Sequence, residues 1–194
     1  LNYIVFATNN PHKLAEIQAM LGDEYTLLDL NAIGCLEDIP ENEPTLAGNA
    51  LAKARYLNTH FGHDCFADDT GLEVDALHGA PGVFSARYAG KAKDAHANMD
   101  LLLKNLGETP MRTARFKTVI ALLKDGHEYL FEGVIEGHII TEKRGTQGFG
   151  YDPIFVPLGE TRTFAQMDML EKATMSHRGR AVKKLVDFLR KEQA

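Results

Sequence analysis

Two adjacent carboxylates, Asp68 and Asp69, follow the apolar run Cys65-Phe66-Ala67 and precede Thr70-Gly71. Acids directly after a buried strand sit at the edge of a sheet, where α/β proteins bind ligands. Successive strand residues point to opposite faces, so one of the pair is expected to face a given site. Another acid, Glu41, lies in an acidic loop just before a helical segment. A hard cation such as Mg²⁺ takes one or two carboxylates plus substrate phosphates. Glu41 and Asp69 supply them if the fold joins them; otherwise both are solvated surface acids. The segment Thr8-Asn9-Asn10-Pro11-His12-Lys13 offers complementary chemistry. Free backbone N–H groups where a strand end feeds a helix make an anion site, to which the Thr8 hydroxyl and Lys13 ammonium would add. Asn9 and Asn10 are residue types that accept positive φ. The spacing is not that of a Walker loop, and the same residues also fit an ordinary turn with a capping Asn.

Two further segments carry groups suited to a nucleotide. In Glu171-Lys172-Ala173-Thr174-Met175-Ser176-His177-Arg178, Lys172 and Arg178 could grip a phosphate or a base edge. Ser176 is a plausible N-cap; cations beside it oppose the helix dipole, and residues that break a local rule tend to mark sites. The alternative is a solvated helix start. In Gly145-Thr146-Gln147-Gly148-Phe149-Gly150-Tyr151-Asp152-Pro153, glycines let the backbone approach a flat ligand while Phe149 and Tyr151 either stack on a base or tuck into the core. His60-x-x-His63-x-Cys65 has a metal-like spacing but no fourth ligand nearby, so no zinc site is expected. Neither Cys35 nor Cys65 has the setting of a catalytic thiol.

These groups need a scaffold, and the pattern supplies one. Leu1 to Ala7 reads as a strand and not as a signal peptide, which needs a basic start and a longer apolar core. Pro11 fits the first position of a helix over 11–22, where Leu14, Ile17 and Leu21 recur at helical spacing. Tyr25 to Asp29 is a short strand, and residues 31–44 are a loop. Thr45 caps a second helix whose inner face carries Leu46, Ala50, Ala54, Leu57 and Phe61. Cys65-Phe66-Ala67 is a buried strand end that Leu72-Glu73-Val74 extends, and Ala80-Pro81-Gly82 is a turn. Asp94 to Leu106 is helical. Ala114–Lys124 and Glu128–Thr141 are long strands joined at Asp125-Gly126, a strong hairpin signal. A strand at Ile154-Phe155-Val156 and a helix from about Ser176 to Glu192 complete the chain. Parallel-type connections with one long hairpin predict a mixed-sheet α/β fold, and 194 residues without an evident linker predict a single domain over 1–194.

Composition narrows the classes. Lys plus Arg number 21 against 27 Asp plus Glu, a net charge of −6, which argues against a nucleic-acid coat but not against a small phosphorylated substrate. No apolar stretch approaches the ~18 residues of a membrane helix. Two cysteines are too few for a disulfide framework and suit a reducing cytoplasm.

Taken in order, the motifs resemble those of the inosine/xanthosine triphosphate pyrophosphatases, the Ham1-like family. The matching stretches are Thr8-Asn9-Asn10-Pro11-His12-Lys13, Glu41-x-x-x-Thr45-x-x-x-Asn49-Ala50-x-x-Lys53 and Ala67-Asp68-Asp69-Thr70-Gly71-Leu72, then Gly79-Ala80-Pro81-Gly82-Val83-Phe84-Ser85-Ala86-Arg87-Tyr88, Gly148-Phe149-Gly150-Tyr151-Asp152-Pro153-Ile154-Phe155, and Glu171-Lys172 with Ser176-His177-Arg178-Gly179. The departure is Asn9, where the family has glycine; Asn tolerates positive φ best after glycine. The resemblance implies an elongated mixed sheet flanked by helices in two lobes with a central cleft, and a cytoplasmic homodimer. It implies a hydrolase that converts ITP, dITP and XTP to the monophosphate and pyrophosphate and so cleanses the nucleotide pool.

The same resemblance assigns roles. Mg²⁺ is held by Glu41 and Asp69. Asp69 is the base for the attacking water, with Asp68 supporting it or sharing the metal, and Lys13 joins Asp69 in catalysis. Thr8, Asn9, Asn10, Pro11, His12, Lys13, Lys53 and Thr70 hold phosphates, with Arg87 a further substrate contact. Phe149, beside Gly150, stacks on the purine; Tyr151, Asp152, Lys172, His177 and Arg178 complete the pocket. Arg178 or nearby backbone donors read the purine 6-oxygen. Two other readings are a Maf-like pyrophosphatase, against which the 149–152 and 176–178 segments argue, and a non-catalytic nucleotide sensor, which does not need both Glu41 and Asp69.

Overall fold

Ile4, Val5 and Phe6 are all buried in the computed structural model, which describes residues 2–192; Leu1, Gln193 and Ala194 lie outside the described residues. A strand covered on both faces reads as a continuous apolar run, as in parallel sheet interiors. This strand, β1 (Asn2–Phe6), pairs in parallel with both β2 (Tyr25–Leu28) and β3 (Cys65–Val74). With β4 (Pro81–Gly82), β5 (Thr113–Lys124), β6 (His127–Ile139) and β7 (Phe155–Pro157), the sheet order is β2-β1-β3-β5-β6-β7, β4 being antiparallel to β3 and β7 antiparallel to β6. The mixed sheet expected from the sequence is therefore present. Its hairpin joins β5 to β6 through Asp125 and Gly126, at φ 51° and 76°, the turn whose twist matches paired strands.

The chain forms two compact units. One comprises residues up to Asp69, Thr118–Gly133 and those from Arg178 onward; the other comprises Thr70–Lys117 and Val134–His177. Strands β3, β5 and β6 contribute residues to both. In the first unit the alternation of β3 sorts the core. Phe66 joins Phe6, Ile17 and Leu21 of α1 (Pro11–Leu21) and Leu185 of α5 (His177–Glu192). Cys65 and Ala67 turn the other way, to Ala50, Ala54 and Leu57 of α2 (Leu46–Phe61). The second unit packs Leu72 and Val74 with Met99, Leu102 and Leu106 of α3 (Ala95–Leu106) and with Phe116, Phe155 and Phe164.

Helix starts obey local capping chemistry. Asn10, Thr45 and Asp94 each accept backbone N–H bonds at the N-termini of α1, α2 and α3. Three expectations are corrected. First, β3 is one continuous strand, so Asp68 and Asp69 lie inside it and not beyond its end. Charges interrupt the apolar pattern there, yet the ladder continues because each charge finds partners. Second, the expected C-terminal helix is present as α5, starting at His177, but a short helix that the sequence did not reveal, α4 (Met169–Met175), capped by Asp168, precedes it, with extended Ser176 between them. Third, Asp152–Ile154 is a single 3₁₀ turn, and β7 begins only at Phe155. Among the described residues no helix is long and apolar enough to cross a membrane.

Strand β2 lies at a sheet edge, where unpaired backbone groups invite association. The Gln18 side chain of α1 covers that edge: its Oε1 accepts from Leu27 N at 3.0 Å while its Nε2 donates to Tyr25 O at 3.1 Å and Gly22 O at 2.9 Å. One planar amide thus serves as a substitute neighbouring strand. Gln18→Leu is expected to lower unfolding free energy by about 1–2 kcal/mol, given the net value of a few such bonds. It should also speed hydrogen exchange at the Leu27 amide; denaturant titration and residue-resolved exchange check both.

Candidate active site

The alternation that sorts the apolar residues of β3 also separates its two acids. Asp68 lies on the side of α1 and α5. Its Oδ1 accepts from Lys13 Nζ at 2.9 Å, and Arg178 Nε is 3.7 Å from its Oδ2. Arg178 is itself fully buried and donates through Nη1 to Glu16 Oε2 at 2.6 Å. A buried charge is tolerated only when paired in this way. Burial alone would raise the Asp68 pKa, but Lys13, Arg178 and Lys53 outweigh it and hold the carboxyl well below the usual carboxylate range. Lys13 is displaced downward, by burial first and then by Lys53 and Arg178 against the pull of Asp68. Asp68 is therefore a fixed anion at the centre of a cationic group.

Asp69 faces α2. Its Oδ2 accepts from Asn49 Nδ2 at 2.9 Å, and its pKa is pushed up to about 6. Burial is the largest cause; Glu41 and Asp68 add to it, while Lys53 and the Asn49 hydrogen bond oppose it. Lys53, also buried, donates to Glu41 Oε1 at 2.7 Å and to the Asp68 carbonyl at 2.5 Å. Burial works against the Lys53 charge, but Asp68, Glu41 and Asp69 raise its pKa above that of an ordinary lysine. The fold thus brings together Lys13, Lys53, Glu41, Asp68 and Asp69, which the chain holds up to 56 residues apart. Among the described residues no group of three or more His, Cys, Asp or Glu is arranged to hold a metal. Glu41 raises the cost of ionising Asp69, so these two hard carboxylates could hold a Mg²⁺ that takes its remaining oxygens from phosphates and water.

The second unit gathers the other predicted residues. Asp152 is buried, and its Oδ2 accepts from Lys172 Nζ at 2.7 Å and Phe149 N at 3.0 Å. Gly148 makes this possible: at φ 69° a Cβ would fall 2.1 Å from Asp152 Oδ2. The Lys172 ammonium also lies 4.8 Å from the Phe149 ring centre, a cation–π contact. Tyr151 is buried and donates to Ser85 O at 2.7 Å, so it is core and not an open stacking platform. His177 is buried against Phe116, ring centres 4.6 Å apart. Arg87 ends a 3₁₀ turn and lies 5.2 Å over Phe84; Thr70 and Gly150 are half-buried. His60 and His63 lie against Tyr56 and Tyr3, and Cys65 donates to Ala54 O, so the three face different neighbours.

The sequence matches the profile of the Ham1 family over residues 4–188. The chain belongs to the Ham1 family. The dITP/XTP pyrophosphatase of Flavobacterium johnsoniae is 54% identical over 186 residues, covering 96% of this chain and 97% of that protein. The dITP/XTP pyrophosphatase of Porphyromonas gingivalis is 54% identical over 187 residues, 96% of both chains. A Ham1 protein from Coxiella burnetii superposes with a TM-score of 0.90 at 40% identity, over 98% of this chain and 100% of that one.

Two features of this Ham1-family chain differ from the sequence reading. The positive-φ residues other than glycine are His78, Lys93 and Asp125 among those described, so Asn9 does not use the left-handed conformation invoked to replace the family glycine. The turn closes through side chains instead: Asn10 N donates to Thr8 Oγ1 at 3.1 Å, and Asn10 Oδ1 accepts from His12 N and Lys13 N at 3.0 and 3.3 Å. The backbone donors of His12 and Lys13 are thus capped, while Pro11 and His12 themselves are exposed. The second is Glu16, the buried partner of Arg178, which the sequence reading did not single out. A signal was present: it follows Lys13 by three positions, which places the two on one face of α1.

The neighbouring acids should respond oppositely to neutralisation. Asp68→Asn leaves buried cations without their central anion and is expected to cost about 3–5 kcal/mol. Asp69 has a raised folded pKa, so its ionisation destabilises the fold as pH rises from the unfolded value toward about 6. Without divalent cation, Asp69→Asn should therefore stabilise by on the order of 1–3 kcal/mol at pH 7, with the advantage vanishing below about pH 4. Urea titrations of both variants from pH 4 to 7 check this.

Proposed function

We propose that this chain hydrolyses the non-canonical purine triphosphates dITP, XTP and ITP to nucleoside monophosphate and pyrophosphate, removing deaminated purines from the nucleotide pool. The reading is carried by the near-full-length relation to dITP/XTP pyrophosphatases together with the division of labour between Asp68 and Asp69. A carboxylate poised near neutral pH is suited to general-base work, and one held far below it is not. Asp69 is accordingly the base that orients and deprotonates the attacking water, and Asp68 is the anion that fixes Lys13 and Arg178. Lys13 and Lys53, with the Thr8–Lys13 turn and Thr70, hold phosphate oxygens. Glu41 and Asp69 would hold Mg²⁺, which when bound neutralises charge on the triphosphate and the departing pyrophosphate.

Base recognition belongs to the other predicted group. Phe149 stacks on the purine, held by Lys172 and Asp152; Gly150, Tyr151 and His177 shape the pocket, and Arg87 is a further substrate contact. A donor aimed at the 6-oxygen pairs with hypoxanthine or xanthine. Facing the adenine amino group, that donor loses its partner, which rejects the wrong base strongly. Arg178 is the proposed donor, its guanidinium oriented by Glu16 and Asp68. The chain is further proposed to act as a single domain within a cytoplasmic homodimer. Two buried free thiols, Cys35 and Cys65, suit a reducing compartment.

Pyrophosphate release from a triphosphate panel with Mg²⁺ tests the assignment. Release from dITP and XTP with little from dATP and dGTP is expected; release from none would sink it in favour of a non-catalytic nucleotide sensor. Asp69→Asn should lower kcat by about 10²–10⁴-fold, the usual contribution of a positioned base, with nucleotide binding retained. Arg178→Ala should narrow the dITP-to-dATP preference about 10- to 100-fold, the worth of one charged hydrogen bond. An equal loss for both substrates would place base reading elsewhere.

A further inference from the structure

Glu41 sits on a segment with no helix or strand of its own between β2 and α2. One face of α2 holds that segment. Asn49, Lys53 and Tyr56 follow at spacings of four and three, which aligns their side chains along the helix. Asn49 Oδ1 accepts from Glu43 N at 2.9 Å, Lys53 Nζ donates to Glu41 Oε1 at 2.7 Å, and Tyr56 Oη donates to Glu37 Oε1 at 2.6 Å. As the helix advances from 49 to 56, the segment runs back from 43 to 37, so the two are laced in opposite directions. Asn49 reaches both sides of the carboxylate pair. Its Nδ2 donates to Asp69 Oδ2 at 2.9 Å while its Oδ1 anchors the segment that carries Glu41. It is also nearly inaccessible, at 1% exposure, and both ends of its planar amide are engaged.

We propose that Asn49, with Tyr56 as an outer tether, is the positioning residue that sets the distance between the Glu41 and Asp69 carboxylates and thereby the affinity of that pair for a divalent cation. The proposal rests on the reading of those two acids as cation ligands. Lys53 cannot serve the same purpose, because its ammonium competes with a cation for Glu41. A neutral amide restrains both sides without adding charge, as partners behind metal ligands commonly do.

The test uses the full chain, with Mn²⁺ alone as the binding probe, read by its spin resonance, and the Mg²⁺ dependence of dITP hydrolysis as a second readout. Asn49→Leu keeps the branched shape and heavy-atom count and removes both hydrogen bonds; it should weaken Mn²⁺ binding about 10-fold or more and speed exchange at the Glu43 amide. Tyr56→Phe removes one hydroxyl from a half-buried ring. It should weaken Mn²⁺ binding a few-fold and raise the Mg²⁺ concentration for half activity in step, with kcat at saturating Mg²⁺ and the thermal midpoint unchanged. If Asn49→Leu does not fold, the Tyr56→Phe, Glu37→Ala and double variants decide: the double should bind no more weakly than the weaker single. Unchanged Mn²⁺ affinity in the folded variants, or a fall in kcat with unchanged metal dependence, overturns the proposal. A wild-type chain that hydrolyses dITP yet binds no Mn²⁺ overturns the ligand assignment itself. One that binds Mn²⁺ and hydrolyses no triphosphate refutes the functional reading while the binding arm still decides the role of Asn49.

Discussion

The buried Asp68 carboxylate is the interaction on which the rest of the first unit depends. It has no access to solvent, so its charge persists only because Lys13 and Arg178 approach it from two helices and Lys53 binds its backbone carbonyl. Arg178 and Lys53 are in turn buried, and Lys13 half-buried, only because Asp68, Glu16 and Glu41 neutralise them. Removing any member leaves the others uncompensated in a medium where charge is costly. A strand that could have been an ordinary apolar core strand instead locks α1, α2 and α5 to one another through charge.

The same strand shows how one backbone produces two chemically different acids. Asp68 and Asp69 share a peptide bond, yet the pleat turns them to opposite faces. One meets cations and becomes a permanent anion; the other is buried beside a second carboxylate and, against Lys53 and the Asn49 amide, is pushed up to about 6. The second environment is unfavourable for folding and suited to proton transfer, the usual conflict between stability and a working site. The first offsets part of that cost with strong ion pairing one residue away.

Much was legible in the chain because it rests on local rules. Hydrophobic period, the caps Asn10 and Thr45, and the Asp125-Gly126 turn act over a few residues, and the structure follows them. Errors fell where local reading was ambiguous. The acids seemed to end a strand because charge breaks the apolar pattern, and only their partners explain why the ladder runs on to Val74. Asn9 seemed to need positive φ because glycine often does; the Thr8 and Asn10 side chains close the turn without it. The sequence left Tyr151 open between stacking on a base and packing in the core, and the bond from its hydroxyl to Ser85 O decides for the core.

By itself the sequence determined the residue types, their order and the family to which they belong, since motifs such as Ala67-Asp68-Asp69-Thr70-Gly71 are contiguous and need no tertiary information. It could not determine which acid meets which charge. Arg178 and Glu16 lie 162 positions apart, and Asn49 and Asp69 lie 20 apart. Only folding fixes those pairings, and pairing and burial, not residue type, set whether a carboxylate stays an anion or is poised to take a proton.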